Sequence, residues 1–346
     1  MSEKKIAVVI LNWNGSNMLR RFLPSVVSHS PEARIVVADN GSEDDSLQVL
    51  HNEFSTVDTL VLDRNYGFAE GYNRALEQVN EPYSLLLNSD VEVTQGWLRP
   101  MLDFMEEHPE VDACQPKILA ERQRECFEYA GAAGGFMDAW GYTFCRGRLF
   151  HLVERDNGQY NQPMPVFWAT GAALMVRTDA FRRHGGLDGR FFAHMEEIDF
   201  CWRLRSRGRG LYCIPQSVVY HVGGATLSKS NPRKTFLNFR NNLLMIYKNA
   251  SPAALRKILL VRFFLDYLAA FQMCLQGRLS EARAVVQARR EFRRTRHQFD
   301  GQRSENLRAT VLHDIPEMMH GCLLWKFYVR RQKTFSALHW NPHPEK

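Results

Sequence analysis

The sequence lacks the motifs that mark several common classes of protein. Its seven cysteines form no C-x-x-C pair, and their odd number argues against a disulfide framework or a zinc site. Neither G-x-G-x-x-G nor G-x-x-x-x-G-K-[ST] occurs, which disfavours a dinucleotide dehydrogenase and a P-loop enzyme. The cysteines instead indicate reduced thiols in a cytosolic compartment, most of them packed in the core.

Long uninterrupted apolar runs are also absent. The apolar stretch at residues 258–275 is broken by Arg262, Asp266 and Gln272, so we expect no membrane-spanning helix. The N-terminal run at residues 6–11 is short and ends in Asn-Trp-Asn-Gly without a small-residue cleavage site. We interpret it as a first strand and not as a signal peptide.

The composition is that of a globular protein with a basic C-terminal part. The chain has 346 residues, 45% hydrophobic and 24% charged, enough for one large domain with an appendage or for two domains. Residues 253–310 contain 12 Arg or Lys against 5 Asp or Glu, a local net charge of +7 within a total of +6. The remainder of the chain therefore carries about −1.

Four apolar runs end in polar clusters and are followed by helical patterns. They lie at residues 6–11, 34–38, 59–62 and 83–87. Strands that alternate with helices at this spacing predict an α/β protein with a mostly parallel, doubly wound, Rossmann-like sheet. Because ligands of such sheets bind at the carboxyl ends of the strands, the polar clusters mark a candidate binding edge.

The residue types at this edge suit a nucleotide. Asp39 could accept the imino N–H of a pyrimidine base, and Asn12 and Asn65 could hold base or ribose. Asp90 could bring a divalent cation to a diphosphate, and Glu92, two residues on, could share that cation. Each residue taken singly also fits an ordinary polar turn. Their recurrence at successive strand ends favours the binding site.

An acidic cluster opens a predicted helix at residues 196–199. Three carboxylates in a first turn complement the helix dipole, which is the structural explanation. Packed beside Phe191 and Phe192, however, they should raise the pKa of one carboxylate, which could then accept a proton from a hydroxyl. His221, in a predicted strand at 218–222, is either a packed side chain or a metal or phosphate ligand.

Two stretches before the acidic cluster are less clearly defined. Residues 166–176 resemble a strand whose small residues make room either for a substrate or for close packing. Residues 120–165 are rich in glycine and aromatic side chains. Their pattern fits a mobile flap or an irregular connection, and the sequence does not decide between these.

Five ordered motifs together resemble the family 2 glycosyltransferases, and most closely the bacterial rhamnosyltransferase-like members that build cell-surface polysaccharides. The similarity covers roughly residues 5–250. The motifs are Val-Ile-Leu-Asn-Trp-Asn-Gly at 9–15, Asp-Asn-Gly-Ser at 39–42, Asn-Tyr-Gly-Phe at 65–68, Leu-Asn-Ser-Asp at 87–90 and Glu-Glu-Ile-Asp at 196–199. The resemblance implies a GT-A fold, a nucleotide-diphosphate sugar donor such as dTDP-rhamnose or a UDP-sugar, a divalent cation, and inversion at the anomeric carbon.

The resemblance also implies roles for single residues. Asp39 would bind the base, and Asn12, Asn40 and Asn65 would help to hold the nucleoside. The other residues predicted to line the donor site are Asn14, Ser42, Arg64, Gly67, Asn73, Asn88 and Arg203. Glu197 would be the general base, with Glu196 and Asp199 beside it as members of the catalytic group. Asp90 would be the metal-binding aspartate of the D-x-D element and His221 a second ligand of Mn²⁺ or Mg²⁺.

This sequence departs from the family pattern at two of these positions. Asn88 replaces the first acid of D-x-D, and Glu197 stands where an Asp is usual. The Q-x-x-R-W motif of processive polysaccharide synthases is absent, so we expect one sugar per encounter with the acceptor. The acceptor implied is a glycan or a lipid-linked hydroxyl.

Residues 251–346 are predicted to form a helical, basic extension of a catalytic domain at residues 1–250. We expect this extension to hold the protein at the cytoplasmic face of an anionic membrane without crossing it. An apolar helix face docked on the catalytic domain or on a second copy is the alternative. Nucleic-acid binding is not expected, since the arginines are not interleaved with stacking aromatics.

Two other functions remain compatible with the sequence. A nucleotidyltransferase would share the nucleotide-binding sheet but release pyrophosphate. A non-catalytic protein that binds nucleotide sugars would need the same polar strand ends without a working base.

Overall fold

The computed structural model describes residues 4–223 and 231–342. The first part of the chain alternates strands and helices in the order β1 (Ile6–Asn12), α1 (Ser16–His29), β2 (Ala33–Asp39), α2 (Ser46–Glu53), β3 (Asp58–Val61), α3 (Gly67–Glu77), β4 (Tyr83–Asn88), β5 (Val91–Val93) and α4 (Arg99–Glu107). Strands β1 to β4 confirm the four predicted apolar runs, and no strand end differs from its prediction by more than one residue.

The middle of the chain is richer in short strands than the sequence suggested. It contains β6 (Val111–Ala120), β7 (Gln123–Phe127), β8 (Gly135–Asp138), β9 (Thr143–Cys145), β10 (Arg148–Leu149), β11 (Leu152–Val153), β12 (Met164–Pro165), β13 (Ala173–Arg177), α5 (Thr178–Arg183), α6 (Glu196–Ser206) and β14 (Gly210–His221). The strand predicted at 166–176 therefore begins only at Ala173. Small residues before it form a turn against neighbouring elements instead.

The main sheet has the strand order β12-β14-β6-β13-β4-β1-β2-β3. Strands β4, β1, β2 and β3 are parallel to one another, as predicted. Strand β13 lies between β4 and β6 and is antiparallel to both, which makes the sheet mixed. In addition, strand β5 pairs with β14, and strand β7 pairs with β6.

Buried apolar side chains cover both faces of the main sheet. Along β1, Val9 packs into the cluster that includes the helix α3, whereas Val8 and Ile10 point to the face covered by α1 and α4. Leu86 and Leu87 of β4 divide between the faces in the same way. A strand buried on both faces has no need of polar alternation, which explains the continuous apolar runs.

Residues 120–165 contribute to a second, smaller sheet. Its order is β11-β10-β9-β8-β15, where β15 (Met318–Met319) comes from near the C-terminus. Strand β15 pairs with β8 in parallel. The glycine-rich region is thus neither a flap nor an irregular connection in this structure, because a distant part of the chain completes its sheet.

Four helices follow the main sheet: α7 (Pro232–Asn249), α8 (Pro252–Leu275), α9 (Leu279–Thr295) and α10 (Asp300–Ala309). Beyond them lie β15 and a π-helical turn at Trp325–Val329. The carboxylate of Glu317 forms a buried ion pair with Arg205 of α6 at 2.7 Å. The C-terminal extension is therefore helical as far as residue 309 and then returns to the catalytic part of the chain.

Helix α8 buries the charged residues Arg262 and Asp266 and exposes many of its apolar residues. Arg262 donates to Asp266 at 2.9 Å, and Arg289 of α9 bonds to the same carboxylate, all three residues being buried. In the part of the chain described, α8 alone is long and apolar enough to cross a membrane by length and composition, with 22% of its most apolar window buried. The helix meets these criteria although Arg262, Asp266 and Gln272 interrupt the apolar run, and the expectation that it does not span a membrane stays a prediction.

Candidate functional site

The carboxyl ends of β1 and β2 bring Asn12, Asp39 and Ser42 together. Asn12 Nδ2 donates to Asp39 Oδ1 at 3.1 Å and to Ser42 Oγ at 3.3 Å. The other carboxylate oxygen of Asp39 accepts the backbone N–H of Ser42 at 2.9 Å. Asp39 is fully buried, and Asn12 Oδ1 has no hydrogen-bond partner in the described residues. This edge therefore offers a fixed carboxylate and a free amide oxygen to a ligand.

A second group of predicted donor residues closes the same edge. Asn40 Nδ2 donates to Asn65 Oδ1 at 3.2 Å, and Asn65 Oδ1 also accepts the N–H of Gly67 at 2.8 Å. Asn14 has a φ of 49° and donates its backbone N–H to Ser42 Oγ. The polar strand ends are thus linked by hydrogen bonds before any ligand arrives.

Gly67 is required by close packing at this edge. Its φ is +77°, and a Cβ at this position would lie 2.7 Å from the ring of Phe192. Arg64 is exposed, and its guanidinium lies 4.8 Å from the ring centre of Tyr66. Among the residues at this edge that are predicted to bind the sugar donor, Arg64 is the one with an exposed, charged side chain.

Two of the predicted donor residues lie elsewhere. Asn73 exchanges hydrogen bonds with the backbone of Leu187, at 2.7 and 2.9 Å, and Arg203 donates to the carbonyls of His184 and Gly186. Both line a cavity of about 210 Å³ to which neither Asp39 nor Asp90 contributes. Their contacts hold the loop before α6 in place.

Asp90 and His221 meet at the end of β4. Nε2 of His221 lies 3.1 Å from Oδ1 of Asp90, and Asn88 Nδ2 lies 3.4 Å from the same nitrogen. Glu92, on the strand β5, does not join them, because its carboxylate accepts a hydrogen bond from Arg124 at 2.6 Å. The expected pairing of Asp90 with Glu92 is replaced by a pairing across 131 positions of sequence.

Electrostatics hold this pair in its charged form. Burial alone would lower the pKa of His221, but hydrogen bonds and charges of Asp90 and Glu128 raise it to about 10. Burial would raise the pKa of Asp90, and the bond and charge of His221 outweigh it and hold that pKa below the ordinary value. A divalent cation would take the place of the proton between them.

The donor set fits a divalent cation that a ligand helps to hold. Neighbouring ligands of an octahedral ion with bonds near 2.1 Å lie about 3 Å apart, which is the spacing of the Asp90 and His221 atoms. No group of three His, Cys, Asp or Glu side chains suited to a metal occurs among residues 4–223 and 231–342. The remaining positions would fall to diphosphate oxygens and water, as is usual for Mg²⁺ and Mn²⁺ at phosphates.

The acidic cluster lies at the first turn of α6, after a strained segment. Phe192, His194 and Met195 have φ values of 67°, 72° and 73°, which are rare for residues with side chains. The turn presents Glu196 and Glu197, and one carboxylate oxygen of each is buried without a hydrogen-bond partner in the described residues. Strain of this kind persists where the surroundings fix the backbone, often at active sites.

The two glutamates differ in how strongly they hold a proton. Burial raises the pKa of Glu197 to about 7. Burial, followed by the charge of Glu197, raises the pKa of the more deeply buried Glu196 well above its ordinary value. Glu197 can therefore exchange a proton near neutral pH, and the pKa of Glu196 is raised in the same direction. The predicted rise in a carboxylate pKa is confirmed.

Asp199 has a different environment from the two glutamates. It is fully buried and accepts from Lys248 Nζ at 2.7 Å, Asn249 Nδ2 at 2.8 Å and Arg203 Nε at 3.2 Å. With both oxygens engaged in these contacts, Asp199 serves to anchor the helix α6. The structure does not present it to a substrate.

Glu197 and the pair formed by Asp90 and His221 are connected through the turn before β13. The N–H of Asn88 donates to the carbonyl of Ala172 at 3.0 Å. A Cβ on Gly171 would lie 3.8 Å from Cβ of Glu197. The small residues that the sequence analysis singled out at this turn thus lie between the end of β4 and the start of α6.

Sequence reasoning missed two residues of this region. Glu128 approaches the second ring nitrogen of His221 at 3.4 Å, and Lys248 binds both Asp188 and Asp199. A carboxylate within the apolar, glycine-rich stretch at 127–136 was a signal for the first. Nothing local marks Lys248, because its partners lie 49 and 60 positions away.

Comparisons with known proteins identify the family of this chain. Residues 7–183 match the model of the family described as Glycosyl transferase family 2. Over 235 residues the chain is 26% identical to the N-acetylglucosaminyl-diphospho-decaprenol L-rhamnosyltransferase of Mycobacterium tuberculosis (strain ATCC 25618 / H37Rv), across 62% of this chain and 75% of that protein.

Solved structures show the same architecture. The crystal structure of GalNAc-T7 with UDP, GalNAc and Mn²⁺ is similar with a TM-score of 0.58 and 17% identity, over 78% of this chain and 50% of that one. The mannosyltransferase PcManGT from Pyrobaculum calidifontis in complex with GDP-Man and Mn²⁺ is similar with a TM-score of 0.50 and 11% identity, over 89% and 86% of the two chains. At these identities the likeness concerns the fold.

Proposed function

Because the chain belongs to glycosyl transferase family 2 and has the GT-A fold, we propose that it transfers one sugar per encounter from a nucleotide-diphosphate sugar to an acceptor hydroxyl. The acceptor we propose is a cell-surface glycan or a lipid-linked saccharide. One observation carries the chemistry: Glu197 has an unpartnered, buried carboxylate oxygen and a pKa raised to about 7 by burial. A nucleotidyltransferase or a non-catalytic binding protein would have no use for such a base.

The donor we propose is dTDP-rhamnose or a UDP-sugar. Asp39 supports a pyrimidine base, because its carboxylate is fixed by Asn12 and Ser42 and keeps lone pairs for an imino N–H. Asn12 Oδ1, buried without a partner, supplies a further acceptor for the nucleoside. Asn40 and Asn65 would hold the ribose side of the same pocket.

Asp90 and His221 would hold the divalent cation, Mn²⁺ or Mg²⁺, with Asn88 beside them. When bound, the cation would offset the negative charge that grows on the diphosphate as it leaves. A carboxylate and an imidazole suit both ions, so their chemistry does not select one.

In the reaction, the acceptor oxygen forms a bond to the anomeric carbon while the bond from that carbon to the diphosphate oxygen breaks. The leaving diphosphate keeps the electron pair of the broken bond. Glu197 accepts the proton of the acceptor hydroxyl, and attack from the face opposite the diphosphate inverts the centre. Burial raises the pKa of Glu196, which disfavours a second negative charge beside the base.

We also propose that residues 251–346 hold the enzyme at the cytoplasmic face of an anionic membrane. The apolar stripe of α8, defined here as Leu260, Phe264, Leu268, Phe271 and Leu275, repeats every three or four residues, and each member is 60% to 73% exposed. The opposite side of the helix carries the buried Arg262 and Asp266. A helix with charges inside and apolar residues outside is suited to lipid contact.

Basic side chains flank the apolar stripe. Arg256 and Lys257 are exposed before it, and Arg293 of α9 lies beside Phe263 with its guanidinium 5.9 Å from the ring centre. Each basic residue near an anionic surface adds about 1 kcal/mol of attraction. Asp266 forms buried ion pairs with Arg262 of the same helix and with Arg289 of α9, which supports a helix that lies in the interface and does not cross it.

The transferase proposal is tested with a panel of nucleotide sugars that includes dTDP-rhamnose and UDP-sugars, each with Mn²⁺ and a polyprenyl-diphosphate saccharide. The expected result is release of a nucleoside diphosphate with one donor and addition of one sugar. Release of pyrophosphate would point to a nucleotidyltransferase. Binding of a donor without product under any condition would support a non-catalytic protein.

A further inference from the structure

A second carboxylate stands behind the pair formed by Asp90 and His221. Oε2 of Glu128 lies 3.4 Å from Nδ1 of His221, whereas Oδ1 of Asp90 lies 3.1 Å from Nε2 on the other side of the ring. Glu128 follows β7 and is buried. The imidazole is therefore held between two buried carboxylates, one at each nitrogen.

The position of the Glu128 carboxylate is fixed by its own neighbours. Its Oε2 accepts the backbone N–H of Ala130 at 2.5 Å, and its backbone N–H donates to Ile118 at 2.9 Å. Gly223, two residues after His221, has a φ of +67°, and a Cβ there would lie 2.5 Å from Oε1 of Glu128. The chain beyond His221 thus packs directly against this carboxylate.

A buried cation faces Glu128 from the second sheet. Arg148 of β10 is buried, donates to Cys145 Sγ at 3.1 Å and lies 4.7 Å from the ring centre of Tyr129. Its charge interacts with Glu128. Arg148 therefore adds a positive charge to the electrostatic surroundings of Glu128.

We propose that Glu128 is a positioning residue of the metal site, which accepts the Nδ1–H of His221 and thereby directs the Nε2 lone pair toward a divalent cation shared with Asp90. A neutral imidazole carries one N–H, and a carboxylate at Nδ1 selects the tautomer that leaves Nε2 free to coordinate. The distance of 3.4 Å shortens to a normal hydrogen bond by a shift of a few tenths of an ångström. The proposal deepens the proposed function and rests on its metal site.

The charge of Glu128 adds a second effect. A carboxylate hydrogen-bonded to a ligating imidazole makes that ligand more basic, and loss of such a partner typically weakens metal binding by about 10- to 100-fold. A residue that only stabilises the fold would change the free energy of unfolding and leave the metal affinity of the folded protein unchanged. Metal affinity and stability therefore separate the two roles.

The experiment measures binding of Mn²⁺ alone to the full chain, from the electron paramagnetic resonance signal of the free ion. Glu128→Gln is expected to weaken Mn²⁺ binding by roughly tenfold or more. Glu125→Gln is the matched control, because Glu125 lies on β7, three residues before Glu128, and is exposed. This control is expected to bind Mn²⁺ as the wild type does. The readout does not depend on sugar transfer, so failure of the transferase proposal would leave it intact.

A double-mutant cycle tests whether Glu128 acts through the imidazole. In a His221→Gln background, Glu128→Gln is expected to cause no further loss of affinity. An equal loss in both backgrounds, or wild-type affinity in folded Glu128→Gln, would overturn the proposal, and so would a wild type that does not bind Mn²⁺. If Glu128→Gln fails to fold, Glu128→Asp, which keeps the charge but shortens its reach, takes its place in the same cycle under the same criteria.

Discussion

Nζ of Lys248 lies 2.7 Å from Oδ2 of Asp199 and 2.8 Å from Oδ2 of Asp188, with only 1% of the lysine exposed. This buried cation joins α7 to the loop before α6 and to α6 itself. The turn that carries Glu196 and Glu197 is therefore held from behind by a residue outside the segment that matches the family.

Replacing Lys248 should destabilise the fold strongly. Lys248→Met leaves two buried carboxylates without their cation, and we expect a loss of about 3–5 kcal/mol in the free energy of unfolding. Denaturation in urea measures it. Lys257→Met, at an exposed position of α8, is the control and should change stability by less than about 0.5 kcal/mol. Similar stabilities of the two variants would contradict this account of Lys248.

Asp90→Asn should abolish turnover and the thermal stabilisation given by donor with Mn²⁺ or Mg²⁺, since a neutral amide does not supply a charge to the cation. Glu92→Gln, two residues further on in β5 and bound to Arg124, should remain active. Activity and thermal shift are measured with and without EDTA. Full activity of the Asp90 variant, or indifference of the wild type to EDTA, would show that the metal assignment is wrong.

Glu197→Gln should lower the chemical step by at least roughly a hundredfold while nucleotide affinity stays within a fewfold. Single-turnover kinetics and nucleotide titration separate the two quantities. Glu196→Gln should be far milder, because burial raises the pKa of Glu196 and so favours the uncharged form, which an amide resembles. If Glu196 proved the more damaging position, the base would have been assigned one residue too late.

The rate should depend on pH through Glu197. Because only the ionised carboxylate accepts a proton and its pKa is about 7, turnover should fall by roughly tenfold per unit below that pH and level off above it. The same shift has the opposite effect on stability. The folded state holds this proton more tightly than the unfolded state, whose pKa is near 4.5, so this contribution is present at low pH and is lost as pH rises through 7. A rate profile that is flat from about pH 5.5 to about pH 8 would contradict the assignment.

The full-length protein should float with anionic liposomes at low salt, bind neutral ones weakly, and lose binding as ionic strength rises. Combined Phe264→Ser, Leu268→Ser and Phe271→Ser changes in the apolar stripe should abolish flotation. Val61→Ser with Val311→Ser, at exposed apolar positions elsewhere, is the control. Equal flotation of both variants, or loss of a dimer only in the stripe variant, would favour a different partner for α8. Resistance to alkaline carbonate would favour a spanning helix.

The sequence predicted the parallel half of the sheet well because that half is built from local units. Each of β1 to β4 is an apolar run bounded by turn residues, and burial on both faces removes ambiguity about its type. The position of β13 was beyond such reasoning, since its pairing of Ala173 with Leu87 joins residues 86 positions apart. The two-residue strands of the second sheet leave no periodic pattern to detect.

The same difference between local patterns and long-range contacts applies to the residues of the site. Asp39, Asp90 and Glu197 could be assigned because each lies in a motif at a strand end or a helix start. Asn73 and Arg203 belong to those motifs too, yet they hold a loop instead of the donor edge. Glu128 and Lys248 contact partners that are distant in sequence and come close only in the folded chain. A short sequence motif therefore does not predict these contacts.

The short strand β15 bears on how this chain can be synthesised. Its pairing with β8 joins residues 318–319 to 137–138, so the second sheet gains its last strand only after nearly the whole chain has left the ribosome. Until then one edge of β8 lacks its partner strand β15, and Arg205 lacks its ion pair with Glu317. A fragment that ends near residue 250 could form neither the β15–β8 pairing nor the Glu317–Arg205 ion pair, and we expect it to aggregate during expression.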